Sequence, residues 1–179
     1  MNSIFQRVVP VFVALAISGC AASVQQSGGE DTAIRVPVEA AKRIVLVMDG
    51  TQVVTSSEDW GAFVSEWQAA ISGAAAAQGL DYTYRVPGKA PDDLPGTEVL
   101  VFVNDYRYLT ESTRALAGIF SGNAFTDSTV TYSVLPGGQK AGTKTYKTTS
   151  SALQGIFSAM TTKQVRALAQ QIVNDVISR

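Results

Sequence analysis

The sequence predicts an α+β domain: a mixed β-sheet of about five strands with two main helices, in the order β-α-β-β-β-β-α. Three observations carry this. A continuous apolar run, Lys42 to Met48, ends on Asp49-Gly50, as a strand buried on both faces does. Two stretches rich in Thr, Val and Tyr, Phe125 to Leu135 and Gln139 to Thr149, flank Pro136-Gly137-Gly138 like the arms of a hairpin. Two apolar stripes at helical spacing, one before Gly79 and one near the C-terminal end, supply a layer to cover the sheet.

After the first strand, Ser56-Ser57-Glu58-Asp59 reads as a helix start, with Ser56 and Asp59 at capping-box spacing and acids in the first turn. Trp60, Phe63, Val64, Trp67 and Ile71 then make one apolar face, continued by alanines to Ala77 and stopped by Gly79. Asp81 to Val86 is a second strand, expected to pair parallel with the first across this helix. Pro87 to Gly96 holds three prolines and two glycines and reads as a loop. Glu98 to about Leu109 puts Leu100 and Phe102 on one face and Val99, Val101 and Val103 on the other, the pattern of a central strand. The hairpin follows. Thr161 and Gln164 form a second capping-box pattern ahead of the stripe Val165, Leu168, Ile172 and Val176, a helix to about Ile177.

Composition narrows the function. The chain has 179 residues, 46% of them apolar, enough for one domain with a real core plus a short leader. Lys and Arg number 14 against 15 Asp and Glu, which argues against a nucleic-acid binder. There is no His, which removes Ser-His-Asp and Cys-His catalysis and the commonest metal ligand. The single Cys makes neither an internal disulfide nor a Cys-rich zinc site.

That Cys sits at an informative place. Arg7 is followed by an apolar run from Val8 to Ile17, broken only by Pro10, and then by Ser18-Gly19-Cys20. Ten residues are too few to span a bilayer but match the apolar core of a secretory signal. Ile17-Ser18-Gly19-Cys20 resembles the bacterial lipoprotein lipobox. The resemblance implies cleavage before Cys20, a diacylglyceryl thioether on its sulfur and an acylated amino terminus, a stable membrane anchor. Ala21 and Ala22 follow where an Asp would favour inner-membrane retention, which implies transfer to the outer membrane with the domain facing the periplasm. Residues 1–19 are then a signal peptide, 20–32 an acylated Cys with a flexible tether of Ala, Ser, Gln, Gly and acids, and 33–179 a single domain.

One internal similarity stands out. Ala115-Leu116-Ala117-Gly118-Ile119-Phe120-Ser121 recurs as Ala152-Leu153-Gln154-Gly155-Ile156-Phe157-Ser158, on either side of the hairpin. An unbulged hairpin centred on Pro136-Gly137 sets the two copies side by side at its base. They read as core edges where glycine permits close approach, or as an apolar patch carrying Phe120 and Phe157 that docks a partner or lipid.

Chemistry is sparse. Asp49 and Asp105 each follow an apolar run and are expected at neighbouring carboxyl ends of the sheet, where they act as turn formers or, alternatively, hold a small ligand, a peptidoglycan fragment or a cation. Asn104-Asp105-Tyr106-Arg107-Tyr108 is the densest polar-aromatic cluster and the best candidate interaction surface, Tyr and Arg being enriched at binding hot spots. Its alternative is Tyr106 and Tyr108 packed on the sheet with Arg107 paired to an acid. No catalytic residue, cofactor or resident metal is expected, and no phosphate-binding loop is present.

The Asn104–Tyr108 cluster, Ser121 to Phe125, and the Gly155 to Val165 stretch resemble small uncharacterised proteobacterial lipoproteins grouped as a domain of unknown function, over roughly Arg43 to Ile177. A fainter likeness, at the level of architecture, is to the α/β periplasmic domains of envelope transport and secretion lipoproteins. The resemblance implies an envelope lipoprotein and supplies no catalytic residue. The expected function is non-enzymatic: an outer-membrane lipoprotein that binds another protein or itself, in assembly or as an inhibitor.

Overall fold

The computed structural model describes residues 24–26, 33–91, 93–107, 124–149 and 160–178. One mixed sheet is built from β1 (Val24–Gln26), β2 (Arg43–Gly50), β3 (Asp81–Tyr84), β4 (Gly96–Arg107), β5 (Phe125–Leu135) and β6 (Gln139–Thr149). The spatial order is β1-β6-β5-β4-β2-β3. β2 runs parallel to both β3 and β4, and the remaining neighbours are antiparallel. The α-helices among the described residues are the one-turn α1 (Gln52–Thr55) and two long ones, α2 (Trp60–Ala77) and α3 (Met160–Ile177). The predicted α+β class, the two main helices and the central position of β4 are all present.

Both long helices cover the same face of the sheet. Phe63, Trp67 and Ile71 of α2 and Leu168 and Ile172 of α3 are fully buried against Ile44, Leu46, Val99, Val101 and Tyr132. Each such aliphatic side chain withdrawn from water contributes about 1.5–3 kcal/mol, so this layer dominates stability. Val45 and Val47, on the opposite face of β2, are buried as well, which explains why that strand reads as an unbroken apolar run.

Four details depart from the sequence reading. The Ser56/Asp59 capping box does not form. Thr51 caps α1 instead, its hydroxyl accepting from the Val54 N–H at 3.3 Å, and the Ser56 hydroxyl donates to the Gln52 carbonyl. Asp59 stands at the N-cap of α2 without a side-chain cap bond, because its carboxylate is taken by Tyr106. Gln164 likewise does not cap: it lies buried within α3 and its amide donates to the Ala124 carbonyl at 3.2 Å.

The hairpin spans the predicted residues, but its register is not uniform. Val134 faces Gln139 and Ser133 faces Lys140. A bulge then shifts the pairing by one, so that Tyr132 faces Gly142 and Phe125 faces Thr149. The unbulged alignment therefore fails, and the two repeat copies lie outside the described residues. Finally, three residues of the stretch read as a tether are ordered as β1, antiparallel to β6 with Val24 opposite Thr148 and Gln26 opposite Tyr146.

Candidate functional site

The polar-aromatic cluster lies on the last residues of β4, and a bulge between Val103 and Asp105 decides which way each side chain points. Tyr106 turns to the helix-covered face. Its ring stacks on Phe63, with centroids 4.3 Å apart and planes 17° from parallel, and meets Trp60 edge-on at 6.2 Å. Its hydroxyl donates to the Asp59 carboxylate and lies 2.6 Å from the Ser57 hydroxyl.

The other three described members of the cluster occupy the face away from the helices. Asn104 donates to the Asp127 carboxylate at 3.1 Å and to the Thr129 hydroxyl at 3.2 Å. Asp127 also pairs with Lys147 at 2.8 Å. Arg107 sits over the Phe125 ring, 5.8 Å from its centroid, a cation–π contact rather than the expected acid pair. Asp105 is exposed and directly opposite Asp127. The cluster is thus split by the sheet: Tyr106 holds the fold, and Asn104, Asp105 and Arg107 form a mixed polar surface. Tyr108, Phe120, Phe157 and Cys20 lie outside the described residues.

Asp49 and Asp105 do stand on adjacent strands, but not together. Asp49 is in register with Phe102, three residues short of Asp105, which separates the two by roughly 10 Å along the strand. A cation takes its carboxylate oxygens at roughly 2.3–2.6 Å, so one ion does not reach both. Asp49 instead accepts from the Gly50 N–H at 2.8 Å, as a turn former does. Among the described residues no three His, Cys, Asp or Glu side chains group as metal ligands.

A second polar cluster went unread in the sequence. Asp175, on the sheet-facing side of α3, is 5% exposed. It receives Lys144 at 2.6 Å, Tyr132 at 3.2 Å and Gln171 at 3.4 Å, and also the Tyr146 hydroxyl. Burial, then the neighbouring Tyr146 and Asp175, hold the Tyr132 hydroxyl far above the ordinary tyrosine range, so it stays a neutral donor. The signal was available: Asp175 falls three residues after Ile172, inside the apolar stripe. The cluster clamps α3 onto β5 and β6.

A groove of about 480 Å³ runs between the helices, walled by Ala69, Gly73 and Ala77 on α2 and by Arg166, Gln170 and Asn174 on α3. It is shallow, and no acid–base pair converges in it.

No family model matches the chain, and no curated protein does. Solved structures do. The PelC dodecamer from Paraburkholderia phytofirmans superposes with a TM-score of 0.50 and 16% identity, covering 88% of this chain and 98% of that one. A single-substitution variant of that protein gives 0.50 and 15% over the same shares. Protein XCC0632 from Xanthomonas campestris, described under the family DUF330, gives a TM-score of 0.45 and 7% identity over 86% of this chain and 90% of that one. At these identities the PelC match shows a common fold.

Proposed function

We propose that this chain is an envelope lipoprotein, anchored in the outer membrane through lipid on Cys20, whose periplasmic domain is a non-enzymatic building block that assembles with copies of itself. The observation that carries the assembly reading is the fold shared over nearly the whole domain with a protein solved as a dodecamer. The anchor reading rests on the lone Cys at the end of an apolar leader of ten residues, directly after Ser18-Gly19. A single-domain fold with a large helical layer on one face suits a repeated subunit, because each copy brings its own core and spends only its rim on neighbours.

The anchor is tested by growing cells on radiolabelled palmitate and separating the membranes. The wild-type chain takes up label and fractionates with the outer membrane, and Cys20→Ala takes up none and keeps its leader. Equal labelling of both forms overturns the anchor. Cross-linking in the intact envelope tests the assembly, which requires a ladder of multiples of the chain mass; a lone monomer band overturns it.

A further inference from the structure

Charge is not spread evenly over this domain. Residues 33–107 carry six basic and ten acidic side chains, and residues 124–178 carry five basic and two acidic. Topology turns that imbalance along the chain into one across the molecule. β2, β3 and α2 make up one side of the sheet, and β5, β6 and α3 the other, with β4 between them. Among the described residues the domain is therefore negative toward β3 and positive toward β6.

The two rims also differ in backbone. Among the described residues β3 has a single neighbour in the sheet, β2. A parallel ladder uses the amide and carbonyl of alternate residues, and the ladder here continues to Arg85, whose N–H donates to the Leu46 carbonyl at 2.9 Å. The intervening backbone groups of Tyr82 and Tyr84 point away from β2, on the outer edge. At the far rim β1 pairs with the end of β6, and the Arg35 N–H donates to the Ala141 carbonyl at 3.4 Å. Asp81 opens β3 and Asp93 lies in the loop that follows that strand, both exposed; Arg35 and Lys140 are exposed beside the β6 edge. None of these four takes part in the ion pairs among the described residues.

We propose that copies of this chain join head to tail, the β3 rim of one meeting the β1–β6 rim of the next, with Asp81 and Asp93 set against Arg35 and Lys140. This rests on the self-assembly reading above and names its interface. Two unlike rims leave the growing assembly with one acidic rim free at one end and one basic rim free at the other, so growth continues until the ring closes rather than stopping at a dimer. The free strand edge of β3 supplies backbone hydrogen bonds, and the charges fix which rim meets which.

The test uses the full-length acylated chain in detergent, sized by light scattering. One variant carries Asp81→Lys with Asp93→Lys, the other Arg35→Glu with Lys140→Glu. All four side chains are exposed, and circular dichroism checks that both variants fold. Each variant alone opposes like charges at every junction and is expected to be monomeric. An equal mixture restores the oligomer, with the variants alternating, because each junction again joins opposite charges. A wild-type oligomer that either variant reproduces alone, or monomeric variants whose mixture stays monomeric, overturns the interface and leaves self-assembly standing. A monomeric wild type removes the assembly reading itself, and this interface with it.

Discussion

Tyr106 and Asp59 are 47 residues apart in the chain, yet their side-chain oxygens meet at 2.5 Å. That bond joins the end of β4 to the entry of α2, and it bears on two expectations at once. For Tyr106 it favours the alternative in which the ring packs on the sheet over a place in the surface cluster. It also takes Asp59 out of the capping role that its spacing from Ser56 implied.

Tyr106→Phe keeps the stack on Phe63 and loses the hydroxyl bonds to Asp59 and Ser57, and is expected to cost about 1.5 kcal/mol. Arg107→Ala gives up only an exposed cation–π contact, worth about 0.5–1 kcal/mol at most. Urea unfolding of the two variants checks the order. A larger loss at Arg107 than at Tyr106 contradicts the split of the cluster across the sheet.

Asp175→Ala leaves the Lys144 ammonium without its carboxylate and removes the acceptor that Tyr132 and Tyr146 share, and is expected to cost about 3–4 kcal/mol. Replacing the lysine as well, with Lys144→Met, should recover part of that loss, because no uncompensated charge is then left under α3. Both are read from denaturant midpoints, and hydrogen exchange should place the weakening in α3.

Burial, and secondarily Tyr84, push the Tyr82 hydroxyl up to about 12, and the same buried hydroxyl has no hydrogen-bond partner among the described residues. With a folded value above the unfolded value of about 10, the unfolded chain releases its proton first as the pH rises. The stability this group contributes is complete below pH 10 and is lost between there and about 12. Tyr82→Phe should therefore match or exceed the wild-type melting temperature at pH 8 and flatten the decline above pH 10. A steeper alkaline decline in the variant would count against the assignment.

Two glycines should respond in opposite ways to the same change. A Cβ on Gly50 would lie 2.9 Å from both the Val103 carbonyl oxygen and a Val54 methyl, so Gly50→Ala forces β2 from β4 and should cost about 2 kcal/mol or more. Gly73 is in the interior of α2 and has nothing within 4 Å of that point, so Gly73→Ala should add about 0.5–1 kcal/mol through helix propensity. Paired thermal melts decide both.

Where one strong local signal stood alone, the fold was legible. Pro136-Gly137-Gly138 between two Thr/Val/Tyr stretches defined both arms of the hairpin to the residue, with Gly137 and Gly138 at positive φ where the turn requires it. The Val99/Val101/Val103 alternation likewise identified a central strand. What escaped was set by distant contacts. The bulges after Val103 and beside Tyr132 change which face a side chain takes, and no residue type announces them. Ser56 ends α1, which Thr51 caps, and Asp59 gives its carboxylate to Tyr106, so neither residue of the expected capping box was free to form it. The pairing of Val24–Gln26 depends on the free edge of β6, which lies more than a hundred residues away. The candidate site was legible in part: Asn104, Asp105 and Arg107 do share a surface, whereas Asp49 stands too far from Asp105 to join it.

The most direct measurement is native mass spectrometry of the full-length acylated chain released from detergent micelles. One closed oligomer of fixed copy number is expected, unchanged over a hundredfold dilution above its dissociation point and carrying one lipidated Cys20 per copy. A monomer at every concentration, or a chain whose Cys20 bears no lipid, contradicts it.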